Sequence, residues 1–150
     1  MKTLRDLLGD DPLIVSVKPG VKVRTAAKAM AFANVGCVAI LQDGLLVGLF
    51  TERDILKRVL LQDLKTDQTI VDEVMTVKLV VGDPDMDANE GRRLLRDHHI
   101  RHLPVVAEGN RLLGVLSIRD LMRDELDEAQ RTVEDVNRYI QGGEAFEGEV

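Results

Sequence analysis

The sequence predicts an α/β protein made of two copies of one small unit with a helical extension at the C-terminal end. Three observations carry that reading. Leu13–Leu61 and Leu79–Leu126 match once a single-residue insertion is allowed in the second hairpin. The matched positions include Pro19 with Pro84, Gly44 with Gly109, Gly48 with Gly114, Arg53 with Arg119 and Asp54 with Asp120. Apolar spacing also switches within each copy from short continuous runs to a helical period. A chain of 150 residues buries roughly 70% of the surface its unfolded form exposes, so one compact body suffices. Neither copy is large enough to hold a core alone, and the pair is expected to fold as one unit.

Each copy reads as strand, helix, strand, strand, helix. Leu13–Val17 is apolar and β-branched and stops at Pro19-Gly20. Val23, Ala26, Ala27 and Met30 then recur at helical spacing over 23–33, and Asn34-Val35-Gly36 ends the helix. Cys37–Leu41 and Leu45–Phe50 are continuous apolar runs, as expected of strands covered on both faces. Asp43-Gly44 between them is a two-residue hairpin signal, because a type I′ turn needs positive φ. Ile55, Leu56, Val59 and Leu60 mark one face of a second helix. The second copy repeats the order with Leu79–Val81, Met86–His98, Leu103–Val106, Leu112–Leu116 and a helix from Ser117. A polar linker covers 63–69, and Val71-Asp-Glu-Val-Met75 opens the second copy much as Leu4-Arg-Asp-Leu-Leu8 opens the first.

The segments Gly48-Leu-Phe-Thr-Glu-Arg-Asp54 and Gly114-Val-Leu-Ser-Ile-Arg-Asp120 are the closest match between the copies. A Ser or Thr three residues before an acid caps a helix N-terminus. The same helix start presents N–H donors and a positive dipole end, which suits phosphate. Asp is shorter than the Glu or Gln of the usual capping box, so its carboxylate is free to point outward and accept both hydroxyls of a ribose.

These two Gly-x-x-[Ser/Thr]-x-x-Asp signatures, the element order and His102-Leu-Pro-Val105 make residues 4–126 resemble a tandem pair of CBS domains. The resemblance implies two βαββα-type repeats, 1–65 and 66–126, packed with pseudo-two-fold symmetry. A C-terminal helix over 127–141 and a disordered acidic tail over 142–150 would follow. It also implies a regulatory module that senses adenosine-containing ligands (AMP, ADP or ATP, with S-adenosylmethionine the alternative) in clefts between the repeats. No cofactor is required in that reading. Carried over residue by residue, Thr51 and Asp54 would share a cleft with Ile100, Arg101 and His102, with Leu49 beneath the adenine. Ser117 and Asp120 would share theirs with Val35, Gly36 and Cys37, with Val115 in the corresponding place. Only the first cleft adds Arg101, a guanidinium able to pair with phosphate, so AMP or ATP is expected to fill the Asp54 cleft first. The Asp120 cleft is expected to prefer a less anionic ligand. Arg53 and Arg119, present in both signatures, would dilute the asymmetry.

Other features carry less. His98 and His102 lie one helical turn apart but lack a third ligand and a general-base Glu, which argues against metal. Asp83-Pro-Asp-Met-Asp87 has Ala88 where a calcium loop needs glycine. Cys37, the one cysteine, sits in a buried-strand pattern and reads as an inert core thiol. Arg92, Arg93 and Arg96 read as a solvated helix face. No phosphate-loop, dinucleotide or nucleophile-elbow motif occurs, which argues against an enzyme.

Charge separates the body from its end. Nine acids against Arg131 and Arg138 give 124–150 a net −7, leaving seventeen acids and eighteen bases elsewhere. A body so nearly neutral, with aromatics at 3%, argues against nucleic-acid binding. No apolar run approaches a membrane span and the N-terminus lacks a signal-peptide core, so the expectation is a soluble, cytoplasmic protein. From Met122, apolar residues recur at Leu126, Ala129, Val133, Val136 and Ile140, a heptad spacing that Gly142-Gly143 should end. That helix either folds back on its own body or meets a second protomer. The expected partners are thus an adenine nucleotide, a second copy in a homodimer and an unidentified regulated protein, with a purely structural dimerisation module the rival reading.

Overall fold

The computed structural model describes the backbone of residues 1–149 and the side chains of residues 1–141. It opens with a short helix α1 (Leu4–Leu8), capped reciprocally by Thr3 and Asp6. Strand β1 (Ser16–Val17), helix α2 (Val23–Ala33) and the hairpin β2 (Cys37–Gln42) and β3 (Leu45–Thr51) follow. Helix α3 comprises Glu52–Asp54 and continues as a π-helical stretch, Ile55–Leu60. The second half holds a 3-10 turn at Val71–Glu73, helix α4 (Ala88–Asp97), the hairpin β4 (His102–Ala107) and β5 (Arg111–Ser117), and helix α5 (Ile118–Glu149). Mixed α/β architecture in two repeats is therefore present.

Both hairpins form where the sequence places them. Asp43 and Gly44 take φ of 53° and 81°, the positive values that a type I′ turn requires. The sheet order β1-β2-β3-β5-β4 sets the two hairpins side by side at the β3–β5 junction, where Leu45 pairs with Arg111 beside the two turns. The inner faces of both hairpins meet in a cluster that contains Cys37, Ala39, Leu46, Leu49 and Leu112.

The first strand of each repeat is shorter than its apolar run. Only Ser16 and Val17 pair, in parallel with Ala39 and Ile40, while Leu13 is 78% exposed. Leu79–Val81 forms no strand at all. A single parallel bridge survives one residue later, where Gly82 donates to the Pro104 carbonyl at 2.8 Å and accepts from Val106 at 3.0 Å. An edge strand on a parallel ladder has no neighbour on its outer side, so little holds it beyond a residue or two. Helix α4 is also shorter than the expected 86–98. Asp87 caps it, its carboxylate accepting from Asn89 N–H, which fixes the start at Ala88. Helix α5 runs through Gly142-Gly143, where a stop was expected; glycine costs about 1 kcal/mol in a helix and does not forbid it. The expected disorder over 142–150 falls on residues whose side chains lie outside the described ones.

The cores exchange their opening segments. Leu4 of α1 is fully buried among Leu95, Leu103, Val105, Leu116 and Leu121, all from the second repeat. Val71 and Val74 from the opening of the second repeat pack into the first, against Val23, Met30, Ile40 and Phe50. Glycine makes room for each crossing. A Cβ on Gly48 would fall 2.5 Å from Met75 Sδ, and one on Gly114 would fall 2.6 Å from Leu8 Cδ2. The linker also caps α2: its first N–H groups donate to the Thr69 and Thr66 carbonyls at 2.9 Å each, because Lys22 offers no side-chain cap. No helix among the described residues is long and apolar enough to cross a membrane.

Candidate functional site

The two signature turns lie at the base ends of the hairpins. Thr51 N–H donates to Asp54 Oδ2 at 3.0 Å and Asp54 N–H donates to Thr51 Oγ1 at 3.2 Å. Ser117 and Asp120 repeat this at 2.9 and 3.1 Å. Asp therefore closes the capping box in both repeats, through Oδ2 of each carboxylate.

What surrounds the two carboxylates differs. Asp54 is 6% exposed. Thr76 Oγ1 donates to it at 2.9 Å, and Arg58 Nε stands 3.6 Å away. Leu49, the expected floor for an adenine, is likewise taken up, exchanging backbone hydrogen bonds of 3.0 and 2.8 Å with Thr76. The segment that opens the second repeat thus lies across the Asp54 cleft, and the expected first site is closed in this conformation. In sequence, Gly9 follows 4–8 as Thr76 follows 71–75, and it offers no hydroxyl.

Asp120 is exposed and lines a cleft of ≈ 450 Å³ together with Val115. The apolar wall comes from Leu7, Leu8, Pro12 and Leu13, the lead-in to the first repeat. Val35, Gly36 and Cys37, expected there, lie elsewhere. Gly36 faces His102 and Glu52, whose Nε2 and Oε1 would each stand 3.3 Å from a Cβ at that position. Cys37 is buried, and desolvation pushes its thiol up to about 12, reinforced by the charges of Asp54 and Glu52. The charged rim of the Asp120 cleft is Lys2, Asp6, Arg123, Asp124 and Asp127. Asp124 is buried, with Lys2 Nζ at 2.7 Å from Oδ1 and Arg92 Nη1 at 3.8 Å from Oδ2. Arg92 is therefore half-buried and bound, also donating to the Leu121 carbonyl at 3.1 Å, and is no part of a solvated face. None of these rim residues stands in a matched signature. Only the likeness of the two opening segments hinted at the N-terminal arm.

The basic residues gather on the other side. Arg53, Arg93, Arg96 and Arg101 line a groove of ≈ 830 Å³ with Ile100, Ile118 and Met122. Arg53 Nη1 donates to the His99 carbonyl at 2.8 Å, and Ile118 N–H donates to the Arg101 carbonyl at 2.8 Å. Arg53, Ile100 and Arg101 thus line one groove, without Thr51, Asp54 or Leu49. His102 is half-buried, and desolvation, opposed by Glu52, lowers its pKa below the ordinary histidine value. Arg119 is exposed and lines neither cavity.

Comparison with known proteins gives the family. The CBS domain matches twice, at residues 4–61 and 71–127, and the chain belongs to the CBS-domain family. It is 35% identical over 113 residues to the CBS domain-containing protein YhcV of Bacillus subtilis, covering 75% of this chain and 79% of that one. Among solved structures, PAE2072 of Pyrobaculum aerophilum, complexed with AMP, superposes with a TM-score of 0.72 at 27% identity. That match covers 79% of this chain and 89% of the other. The CBS pair of protein MJ0100, in complex with 5′-methylthioadenosine and S-adenosyl-L-methionine, gives 0.72 at 25% identity over 81% and 98% of the two chains.

Proposed function

We propose that this chain is a regulatory module that binds an adenosine-containing ligand in the Asp120 cleft and acts by shifting conformation rather than by chemistry. The observation that carries the reading is the exposed Asp120 carboxylate at the start of α5, opening onto a cleft that Val115, Pro12 and Leu13 also line. A ribose placed there presents two hydroxyls to one carboxylate, and the adenine meets Val115, Pro12 and Leu13. The ligands of PAE2072 and MJ0100 support the ligand class. The module works as a homodimer, and its output passes to a regulated partner protein.

Charge narrows the choice within that class. Asp6, Asp120, Asp124 and Asp127 line the cleft against Lys2 and Arg123, and with Lys2 and Asp124 paired to each other three Asp face Arg123 alone. A triphosphate entering this rim meets like charge, whereas a sulfonium ligand such as S-adenosylmethionine, or a neutral thioadenosine, does not. The expectation that AMP or ATP fills the Asp54 cleft first is not supported: Thr76 must leave Asp54 before a ribose can reach it. Calorimetric titration with S-adenosylmethionine, 5′-methylthioadenosine, AMP and ATP tests the reading. We expect one site per chain for the first two, weaker binding of ATP, and a roughly 10- to 150-fold loss in Asp120→Ala, the equivalent of a charge-assisted hydrogen bond. Tight AMP binding that Asp54→Ala abolishes would return the site to the other cleft. No heat with any of the four would leave the structural dimerisation module.

A further inference from the structure

We infer that α5 is a self-association element whose apolar seam packs against the same seam of a second copy of this chain. Beyond Asp124, every residue from Glu125 to Gln141 is exposed, so the helix leaves the body and does not fold back onto it. A helix of this length without tertiary contacts is marginal in water, because helical stability comes mainly from burying an amphipathic face. That face exists. Met122, Leu126 and Val133 are each 59% exposed, Val136 is 51% and Ile140 50%, and Ala129 completes the stripe.

The placement of charge selects the occupant. With Leu126, Val133 and Ile140 at one core position of the heptad and Met122, Ala129 and Val136 at the other, the flanking positions fall to six residues. They are Arg123, Gln130 and Asn137 on one side and Glu125, Thr132 and Tyr139 on the other. Four of the six are uncharged and the other two have opposite signs. Asp127, Glu128, Glu134 and Asp135 all lie on the far side, away from the seam. A partner helix chosen for its basic residues would need acids beside the seam, where partner choice is made. This helix puts its acids where two identical copies keep them in water and apart. The spacing 4, 3, 4, 3, 4 also reads the same in both directions, and Ala129 near the middle permits close approach. The exposed stripe continues onto the body, where Ile118 and Met122 line the basic groove.

The inference rests on α5 alone and stands apart from the ligand assignment. The test is sedimentation equilibrium on the full chain and on the double variant Val133→Ala/Val136→Ala. Alanine is the better helix former, so the variant removes seam area while sparing the helix. We expect a dimer for the parent and a dissociation constant at least tenfold higher for the variant. Glu134→Gln, on the far face and away from both cavities, should leave it unchanged. A monomeric parent overturns the inference. So does a dimer whose constant is the same in the variant, since pairing would then run through the body.

Discussion

Asp54 and Asp120 hold equivalent places in two copies of one unit, and each caps a helix with the same pair of hydrogen bonds. Their difference lies in a third residue: Thr76 donates to Asp54, and Gly9 at the matching place in the sequence donates nothing from a side chain. Structural and binding roles should therefore separate by mutation. Asp54→Ala loses a cap in a buried site, which costs about 1–2 kcal/mol and lowers Tm by about 3–8 °C, with ligand affinity little changed. Asp120→Ala loses a cap too, but at an exposed site, so it should cost only about 0.5–1 kcal/mol while ligand affinity falls. A thermal melt and a titration on each variant decide it, and equal effects on both readouts would sink the division. Cys37 gives a second check at this scale. With its thiol pushed up to about 12, the thiolate fraction at pH 8 is roughly three orders of magnitude below that of an ordinary cysteine. A thiol-specific chromophoric reagent should label Cys37 only as fast as the protein unfolds. Stoichiometric labelling of the native chain within minutes would contradict the buried assignment.

At the level of elements, each repeat borrows its first apolar side chains from the other repeat's opening segment. Leu4 sits near the N-terminus, yet it is fully enclosed by the second repeat. Leu4→Ala should therefore cost about 2–5 kcal/mol in urea unfolding, as for any large-to-small change in a core. Leu13→Ala, at a residue 78% exposed, should stay within about 0.5 kcal/mol. A Leu4→Ala protein as stable as the parent would show that the arm is not part of the core. This exchange marks the limit of what the sequence discloses. The hairpins, α2 and the capped starts of α3 and α5 were readable, because their signals are local: Asp43-Gly44, the 23–30 helical stripe, Thr51 and Ser117. The likeness of 4–8 to 71–75 was readable too, but not which core each would enter. Both segments are apolar in the same way, and only the three-dimensional position of Gly48 and Gly114 decides where they land. The closing of the Asp54 cleft was hidden for the same reason. It depends on the Thr76 hydroxyl, some twenty residues away along the chain, and no motif contains it.

Over the whole molecule, one helix serves both the cleft and the seam. Asp120, Arg123, Asp124 and Asp127 on α5 line the cleft proposed for the ligand, and Met122 and Leu126 on the same turns begin the exposed stripe. Lys2 and Arg92 hold α5 to the body through Asp124, a buried carboxylate whose Oδ2 accepts no hydrogen bond among the described residues. Together with Leu121, fully buried in the second core, that clamp fixes the direction in which the distal helix leaves the fold. A ligand that draws Asp120 toward a ribose acts on the helix one turn from the clamp, and so on the angle at which two seams meet. The module would then report ligand through its own dimer, with no catalytic step. Linkage makes this quantitative, since a ligand that changes the dimer constant by some factor must itself bind the dimer differently by the same factor. Couplings of this kind are typically about 5- to 150-fold. We expect saturating S-adenosylmethionine to shift the dimer dissociation constant by at least fivefold in sedimentation. Arg92→Met, which removes the arm of the clamp that lies outside the cleft, should shrink that shift while leaving the ligand's affinity for the monomer in place. A dimer constant identical with and without bound ligand would mean that cleft and seam share a helix without communicating through it.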